Sequence, residues 1–236
     1  MSPSTPSVNS KTGGADLEAQ YTISPRDQPG PSYAPRQLGN PAPLGLTAFA
    51  TSIFMMSLMT LHPRGVGEPN IIISTMIMFG GLCQYISGIL EFVAGNTFPA
   101  TVFSGFAGFN VAYALIFIPG TGILAAYADP ATGEPLPELG QAISMFVWAW
   151  FIVCVIFTVA STRTSWVLLI LLVFVDITLL LIACGYMMGV EKLLTASSGT
   201  GFISAFLAYY AGASGLWGNG STVFDLPMGS LVPKRD

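Results

Sequence analysis

Charged side chains are scarce in this 236-residue chain. Only 8% of its residues are charged, whereas a soluble domain carries about 25%. Glu91 is the only charged residue between positions 69 and 128, and Arg163 and Asp176 are the only ones between positions 138 and 191. Hydrophobic residues make up 52% of the chain, and its mean hydropathy is +0.66. We therefore predict that most of its surface faces lipid rather than water.

Several other features that would indicate particular functions are absent. The net charge of -4 and the lack of a basic stripe argue against binding nucleic acid. The three cysteines, Cys83, Cys154 and Cys184, lie in hydrophobic segments without metal-ligand spacing, so no disulfide framework or zinc site is predicted. His62 is the only histidine, and no nucleophile–base set, phosphate-binding loop or HExxH motif occurs. We expect no enzyme, no metal and no cofactor.

Six long apolar segments follow a polar N-terminal region. Residues 1–39 are rich in Pro, Ser, Gly and Gln. A segment of this composition cannot bury enough apolar surface to fold, so we predict that it is a disordered cytosolic tail. Each apolar segment reaches the roughly 20 residues that span a bilayer as a helix. The sequence predicts an all-α integral membrane protein, with a six-transmembrane-helix bundle over residues 40–218 and a cytosolic C-terminal tail over 219–236. The predicted helices cover residues 43–61, 71–94, 98–118, 141–160, 165–189 and 194–217.

Lysine and arginine positions predict the orientation of this bundle. Cytosolic loops carry an excess of these residues in membrane proteins. If the N-terminus is cytosolic, six of the eight basic residues lie on the cytosolic side, and only Arg64 and Lys192 lie outside. Both termini are therefore predicted to be cytosolic, and the acidic connection over residues 119–140 is predicted to face outward.

The chain enters the first predicted helix through the heptapeptide NPAPLGL at 40–46. An asparagine is a favourable helix cap, and a proline suits the first helical turn. The free N–H groups at such a helix start attract anions. Either a structural start signal or an anion-binding helix end explains this pattern. The residues are Asn40, Pro41, Ala42, Pro43, Leu44, Gly45 and Leu46.

Polar residues on the second predicted helix share one face. Gly80, Gln84, Ser87, Gly88 and Glu91 follow each other at spacings of three and four residues. Polar groups within a bilayer usually face a bundle interior or a water-filled path. We predict that this face lines a wet path, with Glu91 either structurally paired near the cytosolic interface or linked to proton movement.

Two further polar features lie at the third and fifth predicted helices. Asn96 and Thr97 are predicted to cap the third helix, with Pro99 in its first turn. Asp176 lies near the middle of the fifth, where an ionised carboxylate costs about 2.5–3.5 kcal/mol. It must be paired, hydrated or protonated. We expect either a structural aspartate bonded to Thr178 or a neighbouring helix, or a carboxyl group that exchanges protons with a passing acid.

The heptapeptide resembles the signature of the acetate uptake transporter family, which includes bacterial acetate/succinate permeases and fungal acetate or ammonia-transport-outward proteins. The sequence GGLCQYISGILEFVAGNTF at 80–98 is similar to the family's second helix, and FDLPMG at 224–229 resembles its C-terminal motif. The resemblance covers residues 40–229. It implies proton-coupled transport of acetate, and of propionate or succinate, by a homohexamer in the plasma membrane. The long N-terminal region is more typical of fungal than of bacterial members.

The resemblance also implies positions along the substrate path. By position, the resemblance implies a central constriction formed by Phe49, Phe106 and Val175, which from the residues alone are equally explained by ordinary core packing. Apolar rings at a constriction exclude hydrated ions. The implied path also includes Gln84, Asn96, Thr97 and Asn110. The chain departs from the family in FAGFN at 106–110, where Phe106 lacks a phenolic hydroxyl and Asn110 replaces a large indole.

Three alternatives to carboxylate transport arise from the sequence. The fungal branch suggests export of ammonia or ammonium. A non-transporting sensor or scaffold would use the N-terminal tail as its working part. The triplet Asn40-Pro41-Ala42 matches a water-channel motif, but a second such triplet, which that fold needs, does not occur.

Overall fold

The computed structural model describes residues 39–67, 70–218, 222–223 and 225–231. Six long helices occupy this part of the chain. Apart from Gly39, the predicted N-terminal tail lies outside the described residues, as does part of the predicted C-terminal tail. The long helices are α1 Ala42–Thr60, α2 Ile71–Val93, α3 Thr97–Phe117, α4 Pro137–Ser161, α5 Trp166–Met188 and α6 Glu191–Trp217.

The helix ends follow from the residues that occupy them. α4 begins at Pro137, earlier than the predicted position 141, because the fixed φ of proline suits a first helical turn. α5 begins after Ser165, whose Oγ accepts a hydrogen bond from the Leu168 N–H at 3.3 Å. It ends at Met188 and is followed by Gly189, which adopts a left-handed conformation with φ 63°. The remaining ends lie close to their predicted positions.

Five of the six long helices, α1 to α5, are long and apolar enough to span a bilayer. Their mean hydropathies range from 1.5 for α1 and α2 to 3.1 for α5. α6 has 27 residues, which corresponds to roughly 40 Å of helix, but its many small and hydroxyl-bearing residues make it less apolar. The chain is therefore an all-helical integral membrane protein within the residues that the structure describes.

Close helix contacts arrange the bundle. α6 packs against α1 on one side and α5 on the other, α5 packs against α4, and α2 pairs with α3 while both touch α1. A methyl group added at Gly212 would lie 3.0 Å from Thr47 Cγ2, and one at Gly215 would lie 3.0 Å from Pro43 Cγ. Small residues on α6 thus let it approach α1 closely, which is how helices associate where lipid removes the hydrophobic driving force.

α2 contains a π-helical segment, Met78–Cys83, which the sequence did not predict. Gly80 lies within it, and a methyl group there would collide with Ser52 Oγ and lie 2.8 Å from Asn110 Nδ2. Glycine therefore lets α2 contact both α1 and α3 at this level. Single π-helical turns inside α-helices frequently occur at functional sites.

The described end of the chain crosses the start of α5 and the end of α6. The four consecutive carbonyl groups of residues 226–229 accept hydrogen bonds from these helices, including N–H groups in the first turn of α5. Within the FDLPMG motif, Phe224 lies outside the described residues. The start of α5 and the end of α6 therefore lie at the same end of the bundle, where residues 226–229 join them. The hydrogen-bonded pairs are Ser214 Oγ with Leu226 O (2.8 Å), Tyr210 Oη with Pro227 O (2.8 Å), Val167 N with Met228 O (3.4 Å) and Trp166 N with Gly229 O (2.9 Å).

Candidate functional site: a constricted path through the bundle

Phe49 of α1, Phe106 of α3 and Val175 of α5 meet in the interior of the bundle. They are 7%, 6% and 3% exposed, and the centroids of the two phenyl rings are 4.8 Å apart. All three line a narrow cavity of about 30 Å³, which has room for one or two water molecules. The three residues named from the resemblance are therefore adjacent, and together they leave almost no open space.

A second cavity, the Asn40 cavity, measures about 310 Å³ and lies at the end of the bundle where α1 and α3 begin. Phe49 and Phe106 line it as well, so the two rings separate it from the narrow cavity. The rest of its wall is mainly apolar. Its polar residues are Asn40, Gln84, Glu91, Asn96 and Thr164.

A third cavity, the His62 cavity, measures about 490 Å³ and lies at the opposite ends of the helices. Met56 lines both this cavity and the narrow cavity. More polar side chains line this cavity than the Asn40 cavity. One of them, His62, adopts a left-handed backbone conformation with φ 48°. The three cavities thus form a series through the bundle, interrupted by the aromatic pair and by Met56. The polar lining residues are Thr60, His62, Asn70, Tyr113, Tyr186, Glu191 and Thr195.

The heptapeptide at 40–46 fixes the start of α1 against its neighbours. Asn40 Oδ1 accepts a hydrogen bond from the Ala42 N–H at 3.1 Å, and the Pro41 carbonyl accepts one from Ser87 Oγ at 2.8 Å. A methyl group at Gly45 would lie 2.7 Å from the Phe103 ring and from Ser87 Oγ, so only glycine allows this contact. The pattern therefore has a structural explanation.

The same heptapeptide also reaches the path. Asn40, Ala42 and Leu46 line the Asn40 cavity. Pro43 instead packs near Gly215 of α6, and Leu44 is 38% exposed on the outer face of α1. Different residues of the motif thus line the cavity and contact the neighbouring helices.

The predicted polar face of α2 is buried. Gln84, Ser87 and Glu91 are at most 1% exposed, and Glu91 Oε2 accepts a hydrogen bond from Asn96 Nδ2 at 2.7 Å. This bond corrects one prediction: Asn96 occupies the cap position of α3, but its side chain makes no capping bond because it turns toward the carboxylate. Thr97, the first residue of α3, is exposed.

Asp176 lies between α4 and α5 and is not among the residues that line the three cavities. Its Oδ2 accepts a hydrogen bond from Thr158 Oγ1 of α4 at 2.7 Å, while Oδ1 is buried and accepts none from the residues that the structure describes. Of the two expected partners, the neighbouring helix is confirmed by Thr158, whereas Thr178 bonds instead to the Phe174 carbonyl and to Thr200. Residues two positions apart on a helix face different directions, so Asp176 and Thr178 cannot easily meet.

Asn110 connects α3 to the π-helical segment of α2. Its Nδ2 lies 3.1 Å from the Gly80 carbonyl oxygen and 3.2 Å from Gln84 Oε1, and the residue is 4% exposed. Asn110 also lines the narrow cavity. The compact amide, at which this chain departs from the family that it resembles, is thus part of a buried polar contact at the constriction.

Sequence reasoning missed most of the residues around the narrow cavity. They come from four different helices and belong to ordinary apolar or hydroxyl-bearing types, so no local pattern identifies them. Only the resemblance could have found them, by position. The missed lining residues are Ser52, Ile53, Met56, Phe109, Trp150, Thr178 and Leu179.

Comparisons with known proteins agree with this architecture. The chain is 31% identical to "Acetate permease A" of Emericella nidulans over 214 residues, which cover 85% of this chain and 70% of that protein. It is also 31% identical to "Ammonia transport outward protein 2" of Saccharomyces cerevisiae over 195 residues, which cover 83% of this chain and 66% of that protein. These two names describe transport of different small molecules.

A solved structure, "Structure of the bacterial acetate channel SatP", has the same fold. Its TM-score is 0.68 at 23% identity, and the match covers 81% of this chain and all of that one. The sequence matches the GPR1/FUN34/yaaH family over residues 23–232, which confirms the resemblance seen in the three motifs. Because this match includes nearly the whole chain, the protein belongs to the GPR1/FUN34/yaaH family of membrane proteins.

Proposed function

We propose that this protein transports small monocarboxylates, acetate first among them, through the series of cavities in its own helix bundle. The observation that carries the proposal is the position of Phe49, Phe106 and Val175 between two cavities of about 310 and 490 Å³. An apolar constriction excludes hydrated ions by dewetting. A short acid with a methyl group is small and apolar enough to pass when the rings move.

We propose that Glu91 is the group linked to proton movement. It lines the Asn40 cavity and is 1% exposed, and buried ionisable groups in membrane proteins commonly mark proton or substrate paths. Asp176 is the weaker candidate because it lies between α4 and α5, away from the three cavities. The coupled reaction is symport of the acid anion with a proton, and propionate and succinate are candidate substrates as well.

The proposed arrangement in the membrane has six spans, with α6 as the sixth. α6 is 27 residues long and packs between α1 and α5, which supports a membrane position despite its lower hydropathy. The Asn40 cavity then opens to the cytosol, since the basic residues predict that both chain ends are cytosolic. We also propose a plasma-membrane location and a homo-oligomer, a hexamer by the family resemblance.

Uptake of labelled acetate into reconstituted vesicles tests the proposal. We expect uptake above that of empty vesicles and faster uptake when a pH gradient drives proton entry with the acid. Val175→Phe, which adds volume at the constriction, should reduce uptake by about tenfold. Val173→Phe is the matched control, because Val173 is 39% exposed, and uptake should stay near that of the wild type. Equal uptake by both variants would contradict transport through this constriction.

A second candidate, export of ammonia or ammonium, is favoured by the printed name of the Saccharomyces relative. Neutral ammonia is also small enough for the narrow cavity. The same vesicles distinguish the two functions when loaded with labelled methylammonium. Efflux of methylammonium without any acetate uptake would replace the first proposal by the second.

A further inference from the structure

Two amide side chains meet beside the aromatic constriction. Gln84 of α2 is 0% exposed and lines the Asn40 cavity, whereas Asn110 of α3 is 4% exposed and lines the narrow cavity. Phe106 lines both cavities. The amide pair therefore lies at the level at which the two rings close the path.

The hydrogen bonds fix the orientation of both amides. The Gly80 carbonyl can only accept a hydrogen bond, so the Asn110 atom that faces it at 3.1 Å must be Nδ2. Since Nδ2 can only donate, the Gln84 atom 3.2 Å away must be Oε1. The amide nitrogen of Gln84 consequently points away from Asn110.

The amide nitrogen of Gln84 has no hydrogen-bond partner in the part of the chain that the structure describes. Such a buried, unpaired donor is unfavourable, and native proteins contain few of them without a reason. At a residue that lines a cavity, the missing acceptor can be supplied by a molecule that enters the cavity. Oxygen atoms of a carboxyl group are suitable acceptors for an amide N–H.

We propose that Gln84 Nε2 donates a hydrogen bond to a carboxyl oxygen of the transported acid as the acid reaches Phe49 and Phe106 from the Asn40 cavity. This inference rests on the proposed transport of monocarboxylates. Gln84 is then a specificity-determining residue. Asn110 is a positioning residue, because its bonds to Gly80 and Gln84 hold the donor toward the substrate.

The geometry gives this contact a clear consequence for selectivity. The bond to Gln84 would hold the carboxyl end of the acid on the side of the Asn40 cavity. Its alkyl end would then face the phenyl rings and a narrow cavity of about 30 Å³. A methyl group fits this space better than a longer chain, so the amide and the rings together would favour the shortest acids.

The test is the concentration dependence of labelled acetate uptake in vesicles containing the full chain. Gln84→Glu keeps an acceptor for Asn110 and replaces the free donor by an oxygen, so KM should rise about tenfold, the loss expected for one hydrogen bond to a charged group. The maximal rate should change far less. Gln84→Met removes the donor without adding charge, and the same rise in KM is expected.

Ser104→Ala provides the matched control. Ser104 Oγ is also a buried polar atom with no hydrogen-bond partner in the described part of the chain, but Ser104 is not among the residues that line the three cavities. Its KM should equal that of the wild type. Asn110→Leu should raise KM as Gln84→Met does, and the double variant should be no worse than either.

The outcomes separate this inference from the proposed function. If the wild type takes up acetate and both Gln84 variants have a KM within twofold of it, the inference is wrong and the transport proposal stands. If the Ser104 variant shows the same rise in KM, a structural effect explains the result and the inference is also wrong. If the wild-type vesicles take up no acetate, the transport proposal fails and this inference fails with it.

Discussion

Glu91 and Asp176, which lie in the apolar helices α2 and α5, have different surroundings. Glu91 faces the Asn40 cavity and accepts a hydrogen bond from Asn96, at the end of α2. Asp176 lies in the contact between α4 and α5, where Thr158 binds one oxygen and the other is buried with no hydrogen-bond partner among the described residues. From the sequence, both residues were candidates for proton exchange. In the structure, Glu91 lines a cavity, whereas Asp176 lies in a contact between two helices.

Burial of a carboxyl group in an apolar helix therefore does not by itself place that group beside a cavity. Asp176 lies in the most apolar helix, with a mean hydropathy of 3.1, and burial of a charge there is costly. A carboxyl group that exchanges protons with a transported acid must also have access to a cavity. That access depends on which neighbouring helix packs against the residue.

Replacement of Glu91 should have the largest effect. We predict that Glu91→Leu lowers initial acetate uptake by about tenfold or more, because it removes the cavity carboxyl and leaves the Asn96 amide without its partner. Glu91→Gln retains an acceptor for Asn96 and should lose the stimulation by a pH gradient while keeping more of the downhill flux. Labelled acetate uptake with and without the gradient measures both. Wild-type stimulation in Glu91→Gln would remove this residue from the mechanism.

Substitutions at two glycines test whether the surroundings of the α2 polar face depend on close packing. Gly80→Ala should destabilise the protein by about 1–3 kcal/mol, because the added methyl group collides with Ser52 and Asn110. Gly108→Ala should leave stability unchanged or raise it by up to about 1 kcal/mol, since its methyl group would lie an ordinary 3.8 Å from Trp150 and alanine is favoured over glycine within a helix. Thermal unfolding in detergent compares them. Equal unfolding temperatures would contradict the tight contact of α2 with α1 and α3.

Replacement of Asp176 should have the smallest effect on transport. Asp176→Asn retains an oxygen that accepts the bond from Thr158, so acetate uptake should remain within about twofold of the wild type. Its dependence on a pH gradient should also be preserved. A loss as large as that of Glu91→Leu would mean that the two carboxyl groups act together, and the contrast between the two regions would be wrong.

The helices could be predicted from the sequence, but their interactions could not. Continuous apolar runs mark α1 to α5 because lipid requires them, and prolines and glycines mark several ends. The π-helical segment at Met78–Cys83 has no such pattern. Its geometry depends on contacts between Gly80 and residues 28 positions before and 30 after it, Ser52 and Asn110.

The candidate site shows the same limit. The spacing of Gln84 and Glu91 predicted a shared polar face from local geometry, and both residues lie on one cavity. Thr158 as the partner of Asp176 could not be predicted, because the bond joins two helices 18 positions apart in the chain. Phe49, Phe106 and Val175 came from the family resemblance alone, since single apolar residues on three helices are indistinguishable from an ordinary core.

The size limit of the path tests the central claim most directly. The initial uptake of labelled acetate, butyrate and hexanoate would be measured in vesicles with wild-type protein, with Phe106→Ala and with Phe54→Ala. Phe54 is the matched control, because it lies on α1 against Phe202 and Phe206 and is not among the lining residues of the three cavities. We predict that Phe106→Ala admits the longer acids while Phe54→Ala keeps the wild-type preference for acetate. An unchanged preference in Phe106→Ala, with acetate uptake intact, would contradict transport between these rings.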